Sequence, residues 1–511
     1  MQVTVQHEPI QTFEADAIVV NLFQGVTLPG GATGAVDAAL GGQISSVIGT
    51  GDFKGKLGEV LTLYPRRAIP SPRVIVVGLG KPEKFGLEEV RRAAASAAQA
   101  AHKLGVKHLA TIVHGAGVGG LATRAAAEAT VEGSLLALYA FDTYKSKSTA
   151  DGSGGDGDAS PAVERISIVE ASDSQIAAIQ AGVSAGEAVA AGVALARDLA
   201  NHPSNVATPT YLAEQARALA ARYNMRVEIW DEERIKQEGM GSLASVSAGS
   251  AEPAQFIVLE HAPTGSADQK PFVLAGKAVT FDTGGISLKP GLRMGAMKYD
   301  MSGGAAVLGA MEVVGRMALP LHIYGLVGAT ENMPSGTATK PGDIVTALTG
   351  TTIEVLNTDA EGRMVLADVL GYAQRLKPSA VVDLATLTGA IVIALGPHAA
   401  GLFSNDDDLA GAIADAGDRA GERVWRLPTW EVYGEMVKSD CADIKNVADT
   451  SPSPAGSIYG AKFLERFVDY PWVHLDIAAT AWDVKDIPYI PKGATGFGVR
   501  LLVEWLRGQV R

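Results

Sequence analysis

The chain has 511 residues, enough for more than one hydrophobic core, and its 47% apolar and 19% charged content is that of a globular protein. A formal net charge of −13 weighs against broad contact with nucleic acid or anionic membrane. The only cysteine, Cys441, rules out an internal disulfide and has no partner at zinc-finger spacing, which fits a reducing compartment.

Taken in chain order, the start (Met1-Gln2-Val3-Thr4-Val5-Gln6-His7) reads as a strand, because no basic patch precedes an apolar core as in a signal peptide. Strand-like runs at 17–22, 74–77 and 109–113 alternate with an alanine-rich helical run at 88–103, the pattern of an α/β domain. The Ser/Gly/Asp-rich stretch 146–161 cannot pack a core and is expected to be an exposed, mobile loop. A strand at 165–169 precedes a long helical pattern from about 174 to 201, closed by His202-Pro203 and expected to bridge two domains, 1–172 and 173–511. Beyond it, apolar runs at 256–259, 272–274, 279–281, 322–327 and 380–384 read as buried strands, separated by helices such as 302–317. The larger domain is therefore also α/β. The apolar segment 391–403 is shorter than the ~20 residues of a membrane helix and is broken by Gly396-Pro397, so no membrane span is expected.

Polar residues punctuate these runs. Lys277 and Asp282 close apolar segments where a glycine turn, Gly284-Gly285, begins, and ligands of open α/β sheets gather at carboxyl ends of strands. Alone, the two would equally form a salt bridge. Asp300 precedes a helix start at Ser302-Gly303-Gly304, where capping is the ordinary use of an aspartate. The segment Asn357-Thr358-Asp359-Ala360-Glu361-Gly362-Arg363, read as extended, puts two carboxylates and a guanidinium on one face. In such apolar surroundings Asp359 and Glu361 repel unless a cation sits between them. Carboxylates without histidine suit Mn²⁺ or Mg²⁺, and Zn²⁺ also accepts them. No His-Glu-x-x-His pair occurs among the nine histidines, and no Gly-x-Ser-x-Gly elbow is present. The dinucleotide fingerprint fails at 78–83, where Glu83 holds the third glycine position, and 51–56 is too short for a phosphate loop.

With these residues in place, the chain resembles the leucyl aminopeptidase (cytosol aminopeptidase) family of two-metal exopeptidases. The resemblance rests on Gly276-Lys277 through Asp282-Thr283-Gly284-Gly285 to Lys289-Pro290, on Met297-Lys298-Tyr299-Asp300-Met301, and on the segment Asn357 to Arg363. Weaker similarity runs through Ala329 to Gly336, Asp383 to Ala390 and Trp472 to Ala478, and the first domain matches only loosely.

The resemblance implies a macro-domain-like α/β domain followed by a larger α/β catalytic domain with a central mixed sheet flanked by helices. It further implies that Asp282 and Glu361 bridge two divalent metal ions (Mn²⁺, Zn²⁺ or Mg²⁺), that Lys277 and Asp300 complete the tighter site, and that Asp359 completes the exchangeable one. A metal-bound hydroxide would attack the scissile carbonyl, Lys289 would donate to the oxyanion, and Arg363 would hold a bicarbonate that carries the proton. Met297, Thr386, Leu387 and Gly389 would line the substrate pocket. The expected protein is a cytoplasmic homohexamer that hydrolyses the first bond of peptides with a free N-terminus, preferring leucine and other apolar first residues. The competing expectations are a DNA- or nucleotide-binding protein, which the net acidity opposes, and a dipeptidase selective for Cys-Gly.

Overall fold

Runs of β-branched and aliphatic residues bounded by polar turns become strands, and alanine-rich runs become the helices that cover them. The computed structural model describes residues 1–146, 162–448 and 454–510. The stretch expected to be a mobile loop lies outside the described residues beyond Ser146. The chain forms one compact unit of Met1–Ala190 with Lys485–Pro491, and a second of Ala191–Val484 with Lys492–Arg511.

The first unit contains β1 (Gln2–His7), β2 (Ala17–Leu22), β3 (Val60–Leu63), β4 (Val74–Gly78), β5 (His108–Thr111) and β6 (Arg165–Glu170) in one sheet. Their order is β1-β6-β5-β2-β4-β3, parallel throughout except for β3 on β4. All of β4 is buried, which explains its unbroken apolar sequence: a parallel strand covered on both faces has no polar alternation. The helix Leu87–Lys103 begins where Gly86 N–H donates to Glu89, with Glu88 and Glu89 in the first turn and His102 and Lys103 in the last, each sign matched to the helix dipole.

The boundary between the units falls within the helix Ile176–Asn201. Residues 173–201 have the length and hydropathy of a membrane span, contrary to the expectation that no segment would. The reason lies in packing: 56% of its most apolar window is buried inside the protein, with Val189, Val193 and Leu199 nearly inaccessible. A core helix and a membrane helix need the same composition when both are surrounded by apolar groups.

The second unit is built on β7 (Arg226–Trp230), β8 (Gln255–His261), β9 (Phe272–Asp282), β10 (Ile323–Asn332), β11 (Ile344–Thr346), β12 (Thr352–Glu354), β13 (Ala380–Ala385), β14 (Ala400–Ser404), β15 (Val424–Arg426), β16 (Ile444–Lys445) and β17 (Trp472–Asp476). Eight of these form a mixed sheet ordered β15-β14-β17-β13-β9-β10-β8-β7, and β11-β12-β16 form a small second sheet. At its centre β17, β13, β9 and β10 run parallel, so Asp476, Ala385, Asp282 and Asn332 finish at one edge. The helices Ser302–Met317 and Glu361–Arg375 cover the two faces and are themselves almost wholly buried.

One expectation is corrected here. Residues 272–274 and 279–281 belong to a single strand, so Lys277 stands in mid-strand rather than at a strand end. Gly276 does not turn the chain. A Cβ there would lie 2.6 Å from the Gly303 carbonyl oxygen, so the glycine lets the helix Ser302–Met317 lie against the strand.

Candidate metal centre

Lys277 and Asp282 are five residues apart, which in a regular strand puts them on opposite faces. A bulge corrects this. β9 and β10 pair in register through Val279 and Thr330, after which the next pair is Asp282 with Asn332, so β9 carries one extra residue. Bulges re-aim side chains in this way, and Lys277 and Asp282 both reach the start of the helix Glu361–Arg375. The approach is close: a Cβ at Gly362 would lie 2.6 Å from Lys277 Nζ.

The segment 357–363 is not extended, which corrects the reading of its alternate positions as one strand face. Asn357 Oδ1 accepts from Asp359 N at 2.9 Å, Ala360 N donates back to Asn357 O, and the helix starts at Glu361. The asparagine side chain competes successfully with an extended backbone by making this turn. Asp359 and Glu361 therefore meet across a turn and the first helical residue. One oxygen from each of Asp282, Asp359 and Glu361 falls within 4.8 Å of the others.

Two ammonium groups thread this cluster. Lys277 Nζ lies 2.7 and 2.8 Å from the two Asp300 oxygens and 2.8 Å from Glu361 Oε1, and donates to the Thr386 carbonyl at 3.0 Å. Lys289 Nζ lies 2.8 Å from Asp282 Oδ2 and 2.5 Å from Asp359 Oδ1. Asp300 does not cap the helix Ser302–Met317, whose N-cap position is Met301 with no side-chain cap bond; its carboxylate instead also accepts from Thr386 Oγ1 at 2.7 Å.

Burial pushes the carboxyls of Asp300, Glu361 and Asp359 above their usual range, and their mutual repulsion adds to it, against the pull of the two lysines. Burial alone would strip the proton from Lys277, but the carboxylates of Asp300, Glu361 and Asp282 overcome it and hold the ammonium above its ordinary value. Lys289 is held up in the same way, chiefly by Asp282.

Four carboxylates against two ammonium groups leave the cluster short of positive charge. Its oxygens are also incompletely satisfied. Glu361 Oε2 is buried without a hydrogen-bond donor, and Asp300 Oδ2 and Asp359 Oδ1 are near an ammonium by distance but not at a hydrogen-bonding angle. Buried acceptors of this kind are costly unless a cation takes them. The donor set, carboxylate oxygens and one amine, fits divalent metal ions of hard or borderline character.

Arg363 lies beneath this cluster. It is buried, donates from Nη1 to the Asn446 carbonyl at 2.7 Å, packs its guanidinium over Tyr459, and keeps an unpartnered Nε. Of the residues expected to line a substrate pocket, Thr386 touches the cluster directly. Met297 is half-buried in the turn leading to Asp300, whose N–H it accepts. Leu387 N donates to Asp476 Oδ1 at 3.1 Å, and Gly389 is exposed at the start of a short helix capped by Thr388.

Sequence reasoning passed over Asn332, Asn446 and Asp476. Asn332 donates to both Asp282 and the Thr358 carbonyl. Asn446 accepts from Leu356 N and donates to Asn357 O, and Asp476 receives the Thr388 hydroxyl. Asn332 and Asp476 each end an apolar strand, which is the signal that would have found them, whereas Asn446 follows the two-residue strand Ile444–Lys445 and carries no such mark.

The chain is similar to known proteins over nearly its whole length. The profile described as "Cytosol aminopeptidase family, catalytic domain" matches residues 194–503, and its N-terminal companion matches 19–148. A "Probable cytosol aminopeptidase" of Roseiflexus castenholzii is 46% identical over 99% of both chains. A tomato leucine aminopeptidase variant superposes with a TM-score of 0.86 at 33% identity, covering 99% of this chain and 96% of its own. The bottromycin maturation enzyme BotP in complex with Mn superposes at 0.83 and 35% identity, covering 97% of this chain and all of its own.

Proposed function

The chain belongs to the cytosol aminopeptidase family of metal-dependent peptidases, and from that premise we propose that it releases the first residue of peptides at a two-cation centre, preferring leucine and other apolar residues. The observation that carries this reading is the buried set Asp282, Asp359 and Glu361, with oxygens left unsatisfied by the protein.

Lys277, Asp282, Asp300 and Glu361 would hold the tighter cation, and Asp282, Asp359 and Glu361 the more exchangeable one. Mn²⁺ and Zn²⁺ are the first candidates and Mg²⁺ the third. Bound there, the cations would supply Lewis acidity, polarising the scissile carbonyl and lowering the pKa of water. Lys277 would hold a cation only as an uncharged amine, so it would have to give up its proton for that role.

Lys289 keeps its charge and donates to the carbonyl oxygen as negative charge gathers there, a role supported by its position between Asp282 and Asp359. Arg363, with one edge of the guanidinium tied to Asn446 and Nε unpartnered, is suited to a planar anion. Bicarbonate held there would supply a proton carrier. Met297, Thr386, Leu387 and Gly389 would receive the first side chain of a peptide with a free N-terminus. The same reading takes 173–511 as the catalytic part and 1–172 as an accessory domain, in a cytoplasmic homohexamer.

The test is hydrolysis of leucine p-nitroanilide by chelator-stripped protein, with Mn²⁺, Zn²⁺ or Mg²⁺ added back singly and an N-blocked substrate as control. Cation-restored cleavage of only the free-amine substrate is the expected result. Folded, assembled protein that cleaves neither substrate with any cation would refute the proposal.

A further inference from the structure

Asp282 differs from the other acids of the centre in how its two oxygens are used. Oδ1 accepts two N–H donors, from Gly284 N at 2.8 Å and from Asn332 Nδ2 at 2.8 Å, whereas Oδ2 receives no N–H from the backbone or an amide and faces Lys289 Nζ. The carboxylate is therefore pinned by one oxygen and offers the other.

Asn332 makes this possible by its position on the sheet. It is the last residue of β10, opposite Asp282 just beyond the bulge, and only 4% exposed. Its second amide hydrogen goes to the Thr358 carbonyl at 3.0 Å, immediately before Asp359. Its own carbonyl accepts Thr283 N at 3.0 Å and Thr283 Oγ1 at 2.8 Å. One side chain thus ties the end of β9, which carries Asp282, to the turn that carries Asp359. Without the bulge, Asn332 and Asp282 would not be partners.

We propose that Asn332 is a positioning residue for the metal centre: it fixes the Asp282 carboxylate so that Oδ2 alone faces the cations, and sets the spacing between Asp282 and Asp359. This rests on the two-cation reading. Groups that hold a metal ligand by hydrogen bonds typically govern metal affinity by 10- to 100-fold. Both amide donors of Asn332 are spent on protein acceptors, Asp282 Oδ1 and the Thr358 carbonyl, so it would act on the centre through these two groups.

Asn332→Leu removes both donors while keeping the branched outline and the number of side-chain heavy atoms. The measurement is cation affinity of chelator-stripped protein, by competition with a chromophoric chelator for Mn²⁺ and Zn²⁺, alongside the thermal melt of the stripped protein. The expected result is a dissociation constant raised about 10- to 100-fold with the melt little changed, and kcat recovering toward the parent value as cation is added in excess. Asn332→Ala, which leaves room for a water to replace the donors, is expected to lose less, and keeps the test open where the leucine variant fails to fold. Parent-like affinity in either folded variant overturns the inference alone. A parent protein that binds no cation overturns the two-cation reading and the inference with it.

Discussion

Two buried carboxylates on one helix, Glu361 and Asp368, are treated in opposite ways. Asp368 is inaccessible, and its two oxygens accept backbone N–H groups, Leu243 N at 2.8 Å and Leu348 N at 2.7 Å. It fastens the helix Glu361–Arg375 to two earlier segments of the chain, at Leu243 and Leu348. Glu361, two turns earlier, is as deeply buried, but one oxygen meets only the Lys277 ammonium and the other nothing. A buried acid whose acceptors are all filled is a structural fastener, while one left unfilled beside other acids costs stability that a ligand can return. The same helix thus holds a fastened middle and a binding end.

That contrast is broken most directly by truncating each acid. Glu361→Ala is expected to lose its cations and about 1,000-fold or more in kcat/KM, equivalent to about 4 kcal/mol. The melt of the chelator-stripped variant should stay within a few degrees of the parent's, because the lost side chain was unsatisfied. Cation content and turnover of the purified variant check this, and full activity in folded protein would contradict it.

Lys289→Met separates cation binding from catalysis within the binding end. Turnover is expected to fall about 100-fold, the usual cost of one lost oxyanion donor. Cation affinity should hold or rise, since the ammonium beside Asp282 and Asp359 is gone. Weaker cation binding in this variant would make Lys289 part of the support of the centre instead.

Asp368→Ala should show the reverse of Glu361→Ala. It strands two buried N–H groups, so unfolding in urea should cost about 2 to 3 kcal/mol less. Turnover per folded molecule with saturating cation should change by no more than about threefold. A variant of unchanged stability would show that filled acceptors do not mark a fastener here.

A pH-dependent effect, away from the centre, tests the contrast in the other unit. His114 is buried, its Nδ1 is 2.9 Å from Asn21 Nδ2, and burial lowers its pKa from 6.5 to about 4. A base whose folded-state pKa is depressed adds stability above its unfolded pKa and loses it as pH falls toward the folded value. The parent should therefore lose more stability between pH 6.5 and 4 than His114→Gln does. Urea midpoints across that window decide it.

Much of this was legible in the sequence because the signals are local. Apolar runs located β1, β2, β4, β5, β6, β8 and β13 to within a residue or two, while β10 runs five residues further than expected and the short or edge strands β3, β7, β11, β12 and β14 to β17 gave no such signal. The residues of the centre stood out as charges ending or interrupting apolar runs. What escaped was set by contacts distant in the chain. Residues 272–274 and 279–281 read as two strands until Gly276 is seen to bring the helix Ser302–Met317 against one continuous strand. The segment 357–363 alternates like a strand, yet Asn357 folds it into a turn. Asn332 looks like a strand-end asparagine, and only the bulge between β9 and β10 turns it onto Asp282. Register irregularities of one residue leave no mark in composition or period.

The most direct test of the central claim is calorimetric titration of chelator-stripped protein with Mn²⁺ and with Zn²⁺, run beside Glu361→Ala. The account predicts uptake of two cations per chain by the parent, with proton release on loading, and neither of these tight sites in the variant. Equal uptake by parent and variant, or none by the parent, would contradict it.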